Sequence, residues 1–125
     1  MLEIDDDRAD AWFRALSDRT RRDILRRVLE EEHSVSELAR HYDMSITAVQ
    51  KHVAVLERSG LITRRRQGRE TRARADAAEL RSVSALLTEL ESLWAQRIDR
   101  IDDLVAERPE PDPTLPPFSP LPPSR

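Results

Sequence analysis

The 125-residue sequence contains no cysteine, two glycines (Gly60 and Gly68) and no proline before Pro109. The lack of cysteine excludes disulfides, thiolate metal sites and thiol nucleophiles. With so little glycine and proline before position 109, the backbone has few points that force a turn, which predicts long helices. The chain has no apolar run long enough to span a bilayer, and its first residues, MLEIDDD, do not resemble a signal peptide. We therefore expect a cytoplasmic protein without membrane contact.

The formal net charge is −3, but the charge is unevenly distributed. Between Lys51 and Arg74 there are eight basic and two acidic side chains, a local charge of +6, so the rest of the chain carries −9. A basic run is commonly just a solvated face. Because this one directly follows a candidate recognition helix, we favour contact with nucleic-acid phosphates.

Residues 34–60 predict two short helices joined by a tight turn. Ser34 and Glu37 have the spacing of a capping box, Ser45 is a candidate N-cap, and Gly60 suits the position after the second helix. The second helix has apolar spacing i, i+3, i+4, i+7, which predicts a buried stripe. That stripe consists of Val49, His52, Val53 and Leu56. Its opposite face is small, polar or basic, as is typical of a recognition helix in the DNA major groove.

Two short runs, 61–66 and 69–75, flank Gln67-Gly68 and predict a β-hairpin in which Gly68 takes the positive φ. In the second run, small residues alternate with charged ones at the period of a strand. A hairpin tipped with arginines beside a recognition helix is the wing of a winged helix-turn-helix domain. Its guanidinium groups suit phosphates or a narrow minor groove.

Three further helices are predicted: Arg8 to Leu16, a helix to about Glu31 with either Ser17 or Asp18 as its N-cap, and about Ala77 to Glu107. The last has a heptad stripe that a single small domain could not cover alone, which favours a twofold dimer that also uses the first helix. Packing of the stripe within one chain is the alternative. We thus expect one DNA-binding and dimerisation domain over residues 1–107 and a disordered proline-rich tail over 108–125.

These motifs together resemble the ArsR-type winged helix-turn-helix transcriptional regulators. The resemblance covers about residues 9–107 and lies in FRALSDRTRRDIL (13–25), SELA (36–39), VQKHVAVLERSGLI (49–62) and the arginines around Gly68. Metal-sensing members place cysteines where this chain has Ser34 and Ser36, and none of its three histidines lies on the last helix, so we expect no metal and no cofactor. Ala73 stands near a position where many relatives have tyrosine. The resemblance implies a dimeric repressor.

The fold expected is mainly α with a small β-hairpin wing, in which the N- and C-terminal helices form a dimer interface. The function expected is a homodimeric repressor that binds double-stranded DNA at an inverted repeat, with half-sites about 10 bp or a multiple apart. The predicted DNA contacts are Ser45, Thr47, Ala48, Gln50, Lys51, His52, Arg58, Arg64, Arg65, Arg66, Arg69 and Arg72. The predicted dimer contacts are Trp12, Phe13, Leu87, Leu90, Trp94, Ile98 and Ile101.

Two other functions are alternatives to this one. The first is a helical dimeric interaction adaptor that does not bind DNA, which would show no salt-dependent affinity for duplex DNA. The second is an enzyme, for which the sequence has no nucleophile–base pair, phosphate-binding glycine loop or metal cluster. An unknown small-molecule effector is left open. The DNA hypothesis requires the wing arginines not to be occupied by carboxylates of the same chain.

Overall fold

The computed structural model describes residues 5–105, and these form five helices and three short strands. The elements are α1 (Asp6–Leu16), α2 (Arg19–Glu30), β1 (His33–Ser34), α3 (Val35–Ala39), α4 (Ile46–Arg58), β2 (Ile62–Gln67), β3 (Glu70–Ala75) and α5 (Ala77–Val105). The predicted proline-rich tail and the last two residues of the predicted final helix lie outside the described residues. No helix within residues 5–105 is long and apolar enough to cross a membrane.

Side-chain caps fix where the helices begin. The Asp5 carboxylate accepts from the backbone N–H of Asp7, so α1 begins two residues earlier than predicted, at Asp6. Asp18 caps α2 in the same way. The predicted capping box of α3 is confirmed, because Ser34 Oγ accepts from the N–H of Glu37 while the Glu37 carboxylate accepts from the N–H of Ser34. Each cap satisfies an N–H group that the helix itself cannot pair.

The strands form one antiparallel sheet in the order β1-β3-β2. The predicted hairpin is confirmed, with Gln67 opposite Glu70 and Gly68 in the turn at φ +64°. Strand β1, which pairs His33 with Ala73, was not predicted. Two residues are too few to show the alternation by which a strand is recognised, so only the tertiary pairing reveals it.

Residues up to Thr88 form the first of two compact units. Its core receives side chains from every helix and from β2 and β3, and Trp12, Leu38, Leu61 and Ala73 have no exposed surface. We expected Trp12 at a dimer interface. The structure corrects this, because a ring that is fully buried within one chain has no surface left to cover with a second copy.

The second unit begins at Glu89 and contains the remainder of α5. Every side chain described there, from Glu89 to Leu104, is exposed. The apolar side chains among them still follow the helical repeat, and Trp94 is 57% exposed. The large ones are Leu90, Leu93, Trp94, Ile98, Ile101 and Leu104. Leu87, in the first unit, is exposed as well.

Candidate nucleic-acid interface

Helix α4 presents one polar face because its other face is anchored in the core. Val49, Val53 and Leu56 are fully buried and thereby fix the rotation of the helix about its axis. Residues three or four positions apart share a helical face, so the predicted contact residues point away from the core. Of these, Ser45, Thr47, Gln50, Lys51 and Arg58 are exposed, and Ala48 is half-buried. Lys51 is the only lysine of the chain.

Two of the predicted contact residues of the helix-turn-helix also have structural partners. Ser45 caps α4, since its hydroxyl oxygen accepts from the N–H of Ala48 at 3.1 Å. That hydroxyl still has its own proton to donate. The half-buried His52 has Nδ1 3.3 Å from the Arg21 guanidinium and 4.0 Å from the Asp18 carboxylate. His52 therefore contacts the start of α2 from beneath the exposed face of α4.

The arginines near the start of α2 donate hydrogen bonds to the last carbonyl oxygens of α1. Arg21 donates to the carbonyl oxygens of Ala15 at 2.8 Å and Arg14 at 2.9 Å, and Arg22 donates to that of Leu16 at 2.8 Å. These carbonyls have no partner inside their own helix, and a cation also offsets the negative end of the helix dipole. Arg21 and Arg22 thus fix the corner between α1 and α2.

Glu32, just before β1, joins the two strands of the wing. Its carboxylate accepts from Arg65 Nε at 3.1 Å and lies 3.5 Å from Arg72 Nε, while its carbonyl oxygen accepts from Arg72 Nη2 at 3.2 Å. Arg72 lies a further 3.3 Å from the Glu70 carboxylate. Sequence reasoning missed Glu32, because only the pairing of β1 with β3 brings position 32 to the wing.

A second ion pair connects the wing to α4. Arg64 Nη2 donates to Glu57 Oε1 at 2.8 Å, and both side chains are half-buried. The hydrogen bond from Arg64 lowers the pKa of Glu57 below its usual value, and the charge of Arg64 adds to the effect. The angle between helix and hairpin is therefore set by a charged contact as well as by the core.

Three of the five wing arginines predicted to contact DNA are thus paired with carboxylates of the same chain. Among residues 5–105, the remaining cations of the helix and wing have no carboxylate partner: Lys51, Arg58, Arg66, Arg69 and Arg74. The condition that the wing arginines be unoccupied holds for Arg66 and Arg69. It does not hold for Arg64, Arg65 and Arg72.

A groove separates the start of α4 from the wing. Its lining includes Ser34, Ser36, Ile46, Gln50, Arg64 and Arg69. Gln50, Arg64 and Arg69 are predicted DNA contacts, whereas Ile46 is a neighbour that sequence reasoning missed. Within the described part of the chain, no three histidine, aspartate or glutamate side chains cluster as a metal site requires.

The geometry defines a winged helix-turn-helix domain, and comparisons with known proteins agree. Residues 16–65 match a family model described as a helix-turn-helix domain. The chain is 34% identical over 95 residues to the HTH-type transcriptional regulator Rv2034 of Mycobacterium tuberculosis, covering 76% of this chain and 85% of that protein. The ArsR-like transcriptional regulator from Rhodococcus sp. RHA1 aligns at 34% identity and TM-score 0.69, covering 78% of this chain and 92% of that one.

A third comparison concerns the fold alone. A homodimeric winged helix-turn-helix DNA-binding domain from Mycobacterium bovis aligns at 22% identity and TM-score 0.57, over 74% of this chain and 91% of that one. From the closer likenesses, the chain belongs to the ArsR family of winged helix-turn-helix regulators. It is a transcriptional regulator with a helix-turn-helix DNA-binding domain, as the sequence predicted.

Proposed function

We propose that the protein is a homodimeric repressor that binds an inverted-repeat operator. In this proposal Thr47, Ala48, Gln50 and Lys51 meet the base edges of the major groove. The wing lies on the flanking backbone or in the minor groove, with Arg66 and Arg69 as its main cations. The observation that carries the proposal is that the polar face of α4 and the unpaired cations of the wing belong to the same compact unit.

The paired wing arginines have a different role in this proposal. Arg65 keeps 58% of its side chain exposed, so its bond to Glu32 is a surface ion pair of the kind that contributes little to stability. It can exchange Glu32 for a phosphate at small cost. Arg64 and Arg72 are better shielded, and we assign them to orienting the wing rather than to direct contact.

The dimer interface is proposed from the exposed apolar side chains of α1 and α5. With the buried Trp12 set aside, the remaining predicted dimer contacts are all exposed: Phe13, Leu87, Leu90, Trp94, Ile98 and Ile101. Exposed large apolar side chains that repeat along one helix, as these do on α5, commonly mark an association surface. The homodimeric state of the Mycobacterium bovis domain, which shares the fold, is consistent with a dimer here. A dimer seated across an operator that overlaps a promoter would exclude polymerase from it.

The test is selection of bound sequences from a random duplex library by the purified full-length protein. We expect an inverted repeat with half-sites about 10 bp, or a multiple of that, apart. Acetylation of Lys51 adds an independent readout, since the chain has no other lysine. The selected duplex should protect Lys51 from the reagent, and a scrambled duplex of equal length should protect it less. If no sequence is enriched and salt does not affect duplex binding, the interaction adaptor is the better description.

A further inference from the structure

Ile46 is a large apolar side chain at the edge of the exposed face of the proposed recognition helix. It is the first residue of α4 and is 48% exposed. Its neighbours Ser45 and Thr47 are exposed polar residues, and the buried stripe of α4 begins only at Val49. Ile46 lies three residues before Val49 and so continues the apolar stripe, but at the start of the helix the core leaves about half of its side chain exposed.

The position of Ile46 relative to Gln50 links it to base recognition. The two residues are four apart on α4, so they share a face, and both line the groove between α4 and the wing. Four residues of α-helix rise about 6 Å, which is close to two base-pair steps of about 3.4 Å. If Gln50 contacts one base pair, Ile46 lies over a base pair one or two steps away.

Base edges in the major groove offer one apolar group, the C5-methyl of thymine. We propose that Ile46 reads this methyl group and so specifies a thymine near the base pair contacted by Gln50. The inference rests on the proposed function, because it needs α4 in the major groove. Charge complementarity favours that occupant, because Arg69, which lines the same groove, has no carboxylate partner among the described residues and is available to phosphates.

The test is a double-mutant cycle between protein and DNA. In the duplex obtained by selection, each thymine is replaced in turn by deoxyuridine, which removes only the methyl group. Affinities are measured for the native protein and for Ile46→Ala. Leu29→Ala is the matched control, because Leu29 is an equally exposed (53%) apolar side chain on α2. Thermal unfolding of each variant verifies that it remains folded.

We expect one thymine position in each half-site at which deoxyuridine weakens the native protein about fourfold, the equivalent of one buried methylene group. Ile46→Ala should bind both duplexes equally at that position, whereas Leu29→Ala should keep the native discrimination. The inference is overturned if Ile46→Ala stays as sensitive as the native protein at every thymine. That result would mean that deoxyuridine weakens binding only by changing the shape of the DNA. Failure to select any duplex would instead overturn the proposed function itself.

Discussion

Helix α4 and the wing lie side by side, but their polar side chains are held very differently. Thr47, Gln50 and Lys51 of α4 have no side-chain partner within residues 5–105. In the wing, Arg64 is bonded to Glu57, and Arg65 and Arg72 share Glu32. The helix is oriented by buried apolar residues, and the wing is oriented in addition by its own charges.

This difference suggests a division of labour in DNA recognition. Side chains without protein partners can form hydrogen bonds to bases without first breaking hydrogen bonds within the protein, which suits sequence recognition. Paired arginines hold the hairpin at a defined angle to the helix, and the unpaired Arg66 and Arg69 then supply charge to the backbone.

The largest effect should come from the helix. Gln50→Ala should lose about 1–3 kcal/mol of discrimination at one base pair of each half-site, because glutamine can make a bidentate contact to adenine. The measurement is Kd against a panel of single-base operator variants. The matched control is Gln96→Ala, which removes an exposed glutamine from the distal part of α5. Equal loss against every variant in the panel would place Gln50 outside base recognition.

On the wing, Arg66→Ala should weaken all duplexes alike. The slope of log K against log salt is negative, and the loss of one phosphate contact should reduce its magnitude by about 0.9. Arg64→Ala, on the same strand, is the comparison variant, because Arg64 is occupied by Glu57. It should change the salt slope less and the melting temperature more than Arg66→Ala does. The reverse ranking of the two variants would contradict the division between paired and unpaired arginines.

A smaller effect, opposite in sign, is expected at Glu32. Glu32→Gln keeps the shape and a hydrogen-bond acceptor but removes the negative charge shared by Arg65 and Arg72. Affinity for duplex DNA should rise about two- to fivefold at moderate salt, the size of an exposed ion pair. Glu30→Gln, at the exposed end of α2, controls for a general change in charge. Weaker binding by Glu32→Gln would mean that wing orientation matters more than wing charge.

Much of the fold could be predicted because its signals are local. The capping box at Ser34, the N-cap at Ser45 and the positive φ of Gly60 and Gly68 each depend on a few neighbouring residues, and the structure contains all of them. What escaped prediction depends on tertiary contacts. Strand β1 exists only through its pairing with β3. The early start of α1 at Asp6 is the exception, because it is fixed by the local cap from Asp5.

The candidate site shows the same limit. Periodicity was enough to find the exposed face of α4, because burial on one face leaves the other to solvent. It could not tell which arginines were already occupied. Glu32 lies 33 residues before Arg65 in sequence, and no spacing rule links them. For the same reason, periodicity put Trp12 on an apolar face without showing that its own chain covers it completely.

The smallest effect on DNA binding is expected at Asp23 of α2, which belongs neither to the recognition helix α4 nor to the wing. Asp23 accepts from the Tyr42 hydroxyl at 2.6 Å and from Arg27 Nε at 2.9 Å. The hydrogen bond from Tyr42 lowers the pKa of Asp23 below its ordinary 3.8, with Arg27 adding to the effect despite partial burial. Burial and the hydrogen bond to Asp23 in turn raise the pKa of Tyr42 to about 12.

The sign of the pH dependence follows from these shifts. Since the folded-state pKa of Asp23 lies below that of the unfolded chain, its stabilisation is fully present above pH 3.8 and is lost as pH falls through the folded-state value. Asp23→Asn should therefore unfold more easily at pH 7 and lose less further stability between about pH 5 and 2. Denaturant unfolding across that range measures both, with Asp10→Asn, at an exposed position on α1, as control. At neutral pH the base preferences of Asp23→Asn should match those of the native protein, because Asp23 stabilises the fold and is not a predicted DNA contact. A changed operator preference would instead couple α2 to the recognition face.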